Sequence, residues 1–354
     1  MAETPTEQAT NKVRVGILGL GRSGWGIHAA GMAEVADQYQ VVAVADAMPD
    51  RLEEAKEKFG CDTYTTPEEL IADADVELII VATPSHTHVP LGLAAIEAGR
   101  NVVIEKPMAT TLAEVDQLTA AAEKAGVVVT AFQNQRLDPS FLAVKEVFDS
   151  GRLGEIILVR RTVHRFARRA DWQTLRSMGG GELPNTALHF LDQLMTLLDP
   201  DTDIDVLGDL RRTNSAGDAE DHVKITLRPA EGPVLDLESS GAITFPQDSW
   251  YVVGTTGGII GSPSELQVKW VDLSKMPAIE ADASTPEGRK YGAKEEFDWQ
   301  TETIAVPPPN QRTQQYYSKL YDTLRNGADL FVTPASVRKV VEVMESAREM
   351  ADFA

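Results

Sequence analysis

Residues 13–24 read VRVGILGLGRSG, a short apolar run followed by three glycines with the spacing Gly-x-Gly-x-x-Gly. The run predicts a buried strand, and the glycines open the helix that follows it. Gly19 permits the tight turn, Gly21 lets the backbone approach a pyrophosphate, and Gly24 lets the helix and the strand pack closely. Free N–H groups at the amino terminus of the helix favour a phosphate there. The stretch therefore predicts a Rossmann domain that binds a dinucleotide.

An acidic residue follows the glycines where the adenosine ribose is expected. Asp46 ends the second predicted strand, about twenty residues beyond Gly24, and its carboxylate can accept hydrogen bonds from ribose hydroxyls and would repel a 2′-phosphate. Because Ala47 follows it rather than Arg or Ser, we expect NAD as the cofactor, with NADP less favoured. Arg51 leaves two alternatives open, since its guanidinium can turn toward a 2′-phosphate or stay solvated on its helix.

The first third of the chain alternates short β-branched runs with helical segments, which predicts a doubly wound parallel sheet covered by helices on both faces. Pro49 and Gly60 bound one helix, and Thr111 with Glu114 forms a capping box before another. The six expected strands are Val13–Leu18, Val41–Asp46, Thr63–Tyr64, Glu77–Ala82, Asn101–Glu105 and Val127–Phe132.

Beyond Phe132 the pattern changes to that of an α+β unit with a large, mostly antiparallel open sheet. The alternating runs Glu155–Phe166, Ile204–Arg212, His222–Arg228 and Leu266–Leu273 predict strands. Helices are expected over Pro139–Asp149, Gln311–Asn326 and Thr333–Asp352, and a loop over Ser274–Gly292. We divide the chain into a disordered tail 1–12, the Rossmann domain 13–133, the α+β domain 134–333 and a terminal helix 334–354.

Composition excludes several classes of function. The chain has 54 acidic and 33 basic residues and a net charge of -21, so its surface would repel nucleic acid. No apolar run is long enough to span a bilayer, and the first twelve residues have neither the basic flank nor the apolar core of a targeting signal. A single cysteine, Cys61, predicts a reducing cytoplasm. The histidines lack metal-ligand spacing, and we expect no metal.

Two further segments follow the fourth and fifth predicted strands, at the edge of the sheet where ligands bind. They are Thr83-Pro84-Ser85-His86-Thr87-His88 and Glu105-Lys106-Pro107. Together with the glycine turn and Asp46, they make the chain resemble the glucose-fructose oxidoreductase and inositol dehydrogenase superfamily, often called Gfo/Idh/MocA. The resemblance runs from Val13 through the last helix. It implies a second domain that binds substrate and mediates oligomer contacts, and a terminal helix that packs back on the first domain.

The resemblance also implies the residues of the active site. Lys106 would be catalytic, because an ammonium in a closed cleft can stabilise an alkoxide as hydride leaves. His189, at the end of the glycine-rich segment 179–189, would be the base. Asn185 departs from the usual aspartate and would position a substrate hydroxyl, while Ser85 stands where asparagine is common. The expected cofactor contacts are Gly19, Gly21, Arg22, Ser23, Gly24, Asp46, Arg51, Thr83, Pro84, His88, Glu105 and Lys106.

Candidate substrate residues lie near the start of the second domain. Arg136 resembles a position that borders the substrate, and Trp172 offers an aromatic face to a polyol, although it could equally anchor the core. Asp192, one turn after His189, either orients that ring or is a solvated or interface carboxylate. The basic cluster of His164, Arg165, Arg168 and Arg169 meets an anionic substrate group or pairs with nearby acids.

These observations predict an NAD(P)-dependent dehydrogenase acting on a hydroxyl-bearing carbon of a sugar, inositol or related polyol. Two alternatives stay open: an NAD-dependent glycosidase that acts through transient sugar oxidation, and a non-catalytic sugar-pathway regulator of the same fold. Asn185 keeps the regulator in consideration, whereas Lys106 and His189 argue for an enzyme. A homodimer or homotetramer is expected.

Overall fold

A computed structural model of the chain describes residues 11–73, 75–281, 283 and 295–351. The amino-terminal tail is thus largely outside the described residues, as are parts of the loop expected over 274–292 and the last residues of the final helix. In the described part, two sheets follow one another along the chain. None of its helices is both long and apolar enough to cross a membrane.

The first sheet has six parallel strands in the order β3-β2-β1-β4-β5-β6, which is the order of a Rossmann fold. Its strands are β1 (Val13–Leu18), β2 (Tyr39–Ala45), β3 (Asp62–Tyr64), β4 (Leu78–Val81), β5 (Asn101–Ile104) and β6 (Val129–Ala131). All four residues of β4 are buried, because helices cover both faces of the sheet. The order reverses next to β1, and the turns after β1, β4 and β5 therefore meet at one edge.

Helices and a π-helical turn accompany this sheet, besides a short 3-10 turn at Ser85–Thr87. They are a π-helical turn (Gly24–Ala29) that leads into α1 (Ala30–Glu34), then α2 (Pro49–Phe59), α3 (Pro67–Ile71), α4 (His88–Glu97) and α5 (Leu112–Ala125). Thr111 and Glu114 form the predicted capping box of α5, and Gly60 and Gly126 end α2 and α5 with positive φ. Thr66 and Glu69 form a second capping box before α3, which sequence reasoning overlooked.

The second sheet has eight strands in the order β14-β13-β12-β11-β7-β10-β9-β8, and only the β7–β10 pair is parallel. The strands are β7 (Ile156–His164), β8 (Ile204–Arg211), β9 (His222–Pro229), β10 (Val234–Ser240), β11 (Trp250–Gly254), β12 (Gly257–Gly261), β13 (Glu265–Trp270) and β14 (Gln300–Ala305). Helices α6 (Pro139–Asp149) and α7 (Leu188–Met195) cover one face. The other face leaves Ile157 and Leu207 about half exposed, at 53% and 52%.

The predicted fold class is confirmed: a doubly wound parallel sheet precedes a large, mostly antiparallel one. All six strands expected in the first sheet form, with ends displaced by one or two residues. Four strands of the second sheet, β10, β11, β12 and β14, were missed. β11 reads WYVVG, β12 reads GGIIG and β14 reads QTETIA, so none of these three short strands carries a clear alternation of apolar and polar residues.

Two helices close the chain, α8 (Arg312–Asn326) and α9 (Pro334–Met350). Val337 and Val341 of α9 belong to the core of the first sheet, whereas Met344 and Ala347 belong to the core of the second. At Gly208 of β8 a Cβ atom would lie 2.6 Å from the main-chain oxygen of Ala347. The glycine therefore permits α9 to lie directly against β8.

Gly208→Ala is expected to destabilise the protein by about 1–3 kcal/mol, because the added methyl group meets backbone atoms of a packed helix. Gly26→Ala is the matched control, since a Cβ there meets no atom within 4 Å. The measurement is the free energy of unfolding from urea titration. Equal stability of the two variants would contradict the close packing of α9 on β8.

Candidate active site

The glycine turn has the geometry that a dinucleotide requires. Gly19 has a φ of 86°, and a Cβ at Gly24 would lie 1.8 Å from the oxygen of Gly19, so both positions need glycine. A Cβ at Gly21 would meet no protein atom within 4 Å, which leaves free space at the top of the turn. The residues present therefore fit a bound pyrophosphate, with Arg22 exposed beside it.

Asp46 and Arg51, both predicted at the adenosine end, are brought together. The Asp46 carboxylate accepts hydrogen bonds from the N–H of Leu20 at 2.7 Å and of Met48 at 2.9 Å. Nη1 of Arg51 lies 3.2 Å from Oδ2 of Asp46. Arg51 is thus neither free in solvent nor available to a 2′-phosphate without leaving this ion pair.

His88 holds two loops together. Its Nδ1 lies 2.7 Å from the carbonyl oxygen of Pro107 and its Nε2 lies 2.9 Å from that of Thr83. Burial lowers the pKa of His88. The ring thus lies between the loop after β4 and the Glu105-Lys106-Pro107 turn, and because a neutral ring carries one N–H, it donates to only one of the two carbonyls. A contact of this side chain with a cofactor stays a prediction.

Lys106 connects the two sheets. Its Nζ donates a hydrogen bond to the main-chain oxygen of Asn185 at 2.7 Å, although the two residues are far apart in sequence. Burial lowers the pKa of the Lys106 amine, and the neighbouring Glu105 carboxylate partly offsets this effect. The carboxylate itself is 6% exposed and accepts hydrogen bonds from Ser23 Oγ at 2.5 Å and from the N–H of Lys106 at 2.9 Å.

His189 is the second residue of α7, which follows a π-helical turn, Leu183–Ala187. Burial and the charge of Lys106 lower the pKa of His189 to about 3. The ring is therefore neutral near pH 7 and able to accept a proton. Its Nδ1 has no hydrogen-bond partner among the residues that the structure describes. Lys106 thus contacts the main chain of Asn185 and acts on His189 through its charge, while the catalytic roles of these residues stay predictions.

The Asn185 side chain is held in one orientation. Its Oδ1 accepts a hydrogen bond from Nε2 of Gln173 at 3.0 Å, and its Nδ2 donates to the oxygen of Gly181 at 2.8 Å. Nη2 of Arg169 donates in turn to the Gln173 amide oxygen. Trp172, beside Gln173, is 39% exposed and so does not anchor the core.

One prediction about a nearby charge needs correction. Asp192 neither orients His189 nor lies in solvent: it is fully buried and accepts hydrogen bonds from Arg136 at 2.7 and 2.8 Å. Arg136 also donates to Ser336 Oγ at 2.9 Å. The Arg136 charge is thus paired inside the protein, and its contact with a substrate stays a prediction.

Three of the four residues in the basic cluster pair with nearby acids, which is the second of the two alternatives considered for them. Arg165 pairs with Glu182, Arg169 with Asp171, and His164 lies 3.3 Å from Glu238. Across the described ranges, no group of three or more His, Cys, Asp or Glu side chains is placed to hold a metal ion.

Sequence reasoning missed two residues behind the site. His28, in the π-helical turn after the glycines, and Tyr317 of α8 form a hydrogen-bonded line to Glu105. A histidine one turn beyond Gly24 was a usable signal for the first. The local sequence did not indicate Tyr317, because the adjacent residue of the same helix, Tyr316, is also a tyrosine.

Comparison with known proteins matches both halves of the chain to one family. Residues 13–133 match the "Oxidoreductase family, NAD-binding Rossmann fold" of GFO/IDH/MocA proteins, and residues 141–260 match the GFO/IDH/MocA C-terminal domain. A curated relative, scyllo-inositol 2-dehydrogenase (NADP(+)) IolW of Bacillus subtilis, is 30% identical over 351 residues, covering 95% of this chain and 93% of the relative.

Two further similarities are informative. Myo-inositol 2-dehydrogenase of Thermotoga maritima is 36% identical over 151 residues, covering 42% of this chain and 45% of the relative. Among solved structures, the oxidoreductase yvaA from Bacillus subtilis superposes with a TM-score of 0.80 at 24% identity, covering 96% of each chain. The structural likeness concerns the fold.

The low pKa of His189 has a consequence for stability. Because the folded ring takes up a proton at about pH 3 and the unfolded ring at its ordinary 6.5, the unfolded chain binds more protons between these values. The melting temperature is therefore expected to fall as pH drops through this window. His189→Gln should make the melting temperature less dependent on pH in this window. Part of the dependence should remain, because the pKa of His88 is also lowered by burial.

The measurement is the melting temperature between pH 7 and pH 4. His86→Gln is the control, because His86 is exposed and should leave the slope unchanged. An unaltered slope in His189→Gln would show that this ring is not held neutral by the fold.

Proposed function

The chain belongs to the GFO/IDH/MocA oxidoreductase family and is an NAD(P)-dependent dehydrogenase acting on CH–OH groups, and we propose that its substrate is a sugar, an inositol or a related polyol. Two inositol 2-dehydrogenases among its relatives support this substrate class. Two observations support the proposal: the 2.7 Å hydrogen bond from Lys106 to the main-chain oxygen of Asn185, four residues before His189, and the effect of the Lys106 charge on the pKa of His189.

We assign the proton chemistry to two side chains. A cofactor held at the glycine turn would supply the hydride chemistry. His189, neutral near pH 7, accepts the proton of the substrate hydroxyl during oxidation and returns it during reduction. The Lys106 ammonium donates a hydrogen bond to the same oxygen and stabilises its developing negative charge. Burial strengthens that interaction, because little water screens the charges.

Asn185 positions the substrate in this proposal. An amide donates and accepts hydrogen bonds but takes up no proton, so His189 is the single base. Gln173 and the Gly181 carbonyl occupy one donor and the acceptor of the amide, which leaves its second N–H for a substrate hydroxyl. Trp172, partly exposed beside Gln173, offers an aromatic face to the C–H side of a polyol.

We propose NAD as the preferred cofactor. Asp46 presents a carboxylate where a 2′-phosphate would lie, and Arg51 is engaged by that same carboxylate. IolW carries NADP(+) in its name, so the preference needs a direct test in this chain. The remaining contacts proposed for the cofactor are Gly19, Gly21, Arg22, Ser23, Gly24, Thr83, Pro84, His88, Glu105 and Lys106.

The two parts of the chain would bind different molecules. Residues 13–133 would hold the cofactor and residues 134–333 the substrate, with the helix 334–354 returning to the first domain. The half-exposed Ile157 and Leu207 lie on the uncovered face of the second sheet and support a homodimer or homotetramer assembled there. The buried Cys61 suits a reducing cytoplasm.

Lys106→Met and His189→Asn are each expected to lower kcat by about 10²–10⁴-fold, because each removes a group that exchanges a proton with, or donates to, the reacting oxygen. The measurement follows reduced nicotinamide in a screen of sugars, inositols and sugar acids with NAD and NADP. Lys145→Met, at an exposed lysine, and His86→Asn are the matched controls.

Full turnover of Lys106→Met would refute the assignment of the catalytic lysine. Release of a leaving group from glycosides without net NADH would identify a glycosidase instead. Absence of turnover on every substrate class together with nicotinamide binding would favour the regulator.

Asp46→Ser is expected to raise kcat/KM with NADP relative to NAD by at least about tenfold, because it removes the charge that repels a 2′-phosphate and releases Arg51. Asp50→Ser removes the same charge from an exposed position nearby and should leave the ratio unchanged. The measurement is kcat/KM for both cofactors, and an unchanged ratio in Asp46→Ser would argue that another residue sets the preference.

A further inference from the structure

A line of three buried side chains runs from the Lys106 turn to helix α8. Oε1 of Glu105 lies 3.1 Å from Nε2 of His28, and Nδ1 of His28 lies 2.5 Å from the hydroxyl of Tyr317. His28 and Tyr317 are fully buried. We call these residues, Glu105, His28 and Tyr317, the buried line. It connects segments that are distant in sequence, at residues 28, 105 and 317.

The chemistry of the groups fixes the direction of the hydrogen bond to Glu105. The carboxylate only accepts, so Nε2 of His28 carries a hydrogen and donates it. The Tyr317 hydroxyl is the partner of the other ring nitrogen, Nδ1, and so holds the ring in the orientation in which Nε2 faces Glu105. Removal of that hydroxyl leaves Nδ1 without this partner and loosens the hold of His28 on the carboxylate.

Glu105 is the point where three parts of the site meet. Its Oε1 accepts from Ser23 of the glycine turn as well as from His28, and its Oε2 accepts the main-chain N–H of Lys106. Burial alone would raise the pKa of Glu105, but the His28 hydrogen bond and the nearby charges hold it well below its usual range. Burying an ionised carboxylate costs desolvation free energy, and apolar residues of similar volume often stabilise a core equally well. Stability alone therefore does not explain a carboxylate at this position.

We propose that Tyr317 and His28 are positioning residues that fix the Glu105 carboxylate, and that this carboxylate sets both the placement and the charge of Lys106 and ties it to the cofactor turn at Ser23. The inference rests on the catalytic assignment of Lys106. It adds a contribution from α8, an element that carries none of the residues assigned to cofactor or substrate.

The charge argument rests on the ionisable groups that act most strongly on Lys106. Glu105 and Glu182 stabilise the ammonium, whereas Arg22 and Arg169 disfavour it. The Lys106 charge in turn acts on His189, as do Glu105 and Arg312. Tyr316 and Tyr317 face Glu105 from α8, and both are buried with pKa values raised well above the usual range. Displacement of the Glu105 carboxylate removes a favourable charge, so the Lys106 ammonium would be lost at a lower pH.

Adjacent tyrosines provide a matched pair for the test. Tyr316 is as deeply buried as Tyr317, but its hydroxyl donates to the main-chain oxygen of Ala131 at 2.8 Å, outside the buried line. Tyr316→Phe and Tyr317→Phe each remove one buried hydroxyl and should lower the melting temperature similarly. Three readouts are compared in full-length protein: NADH affinity by fluorescence titration, kcat and KM on the best substrate of the screen, and the pH profile of kcat.

Tyr317→Phe is expected to lower kcat about tenfold, to change the substrate KM less than about twofold, and to move the alkaline limb of the profile to lower pH. NADH affinity should fall about threefold, because displacement of the Glu105 carboxylate disturbs its hydrogen bond with Ser23 of the glycine turn. This affinity can be measured without substrate turnover. Tyr316→Phe should leave all three readouts within about twofold of the wild type. Equal effects in the two variants, or no effect in Tyr317→Phe, would overturn the proposal.

Glu105→Gln keeps the test decisive if Tyr317→Phe does not fold. It removes the charge and places an N–H₂ group opposite the Lys106 N–H, so the alkaline limb should move in the same direction and further. If the alkaline limb of the pH profile of kcat does not move in Glu105→Gln, the proposal is overturned. A wild-type protein that binds NADH but turns over no substrate would refute the proposed function, while the NADH titrations would still decide the role of Tyr317.

Discussion

The hydrogen bond from Nζ of Lys106 to the main-chain oxygen of Asn185 is the contact through which the two sheets share one site. Lys106 follows β5 of the parallel sheet, and Asn185 belongs to the turn before α7, which packs on the antiparallel sheet. A cation placed in this contact has little water around it, which shifts the proton equilibria of both Lys106 and His189 toward their neutral forms. The pKa values of Lys106 and His189 thus depend on the packing of the two sheets against each other.

Much of the first sheet could be predicted because its signals are local. The glycine turn, the capping box at Thr111 and the buried strands are each encoded within a dozen residues, so their physical causes can be identified one segment at a time. The second sheet is harder, since β11 and β12 gain their stability from neighbours across the sheet rather than from their own sequence pattern. Lys106, Asn185 and His189 were found through spaced motifs, not through geometry.

What sequence could not reveal is which charges neutralise each other. Arg136 and Asp192 form a buried pair between the start of the second half and α7, and each had been given a different role when considered alone. The same holds for Asp46 with Arg51 and for Arg165 with Glu182. An ion pair depends on distance in space, and the partners lie on separate elements. The line from Glu105 to Tyr317 was invisible for the same reason, because α8 approaches the site only after the whole chain has folded.

Helix α9 has a consequence for how the protein is made. Its Val337 and Val341 complete the core of the first sheet, and its Met344 and Ala347 complete that of the second, yet this segment leaves the ribosome after every strand of both sheets. Until α9 has been synthesised, the apolar residues that it covers in both cores remain exposed to solvent. Completion of the two cores is therefore expected to depend on one late segment rather than to proceed separately from the amino terminus.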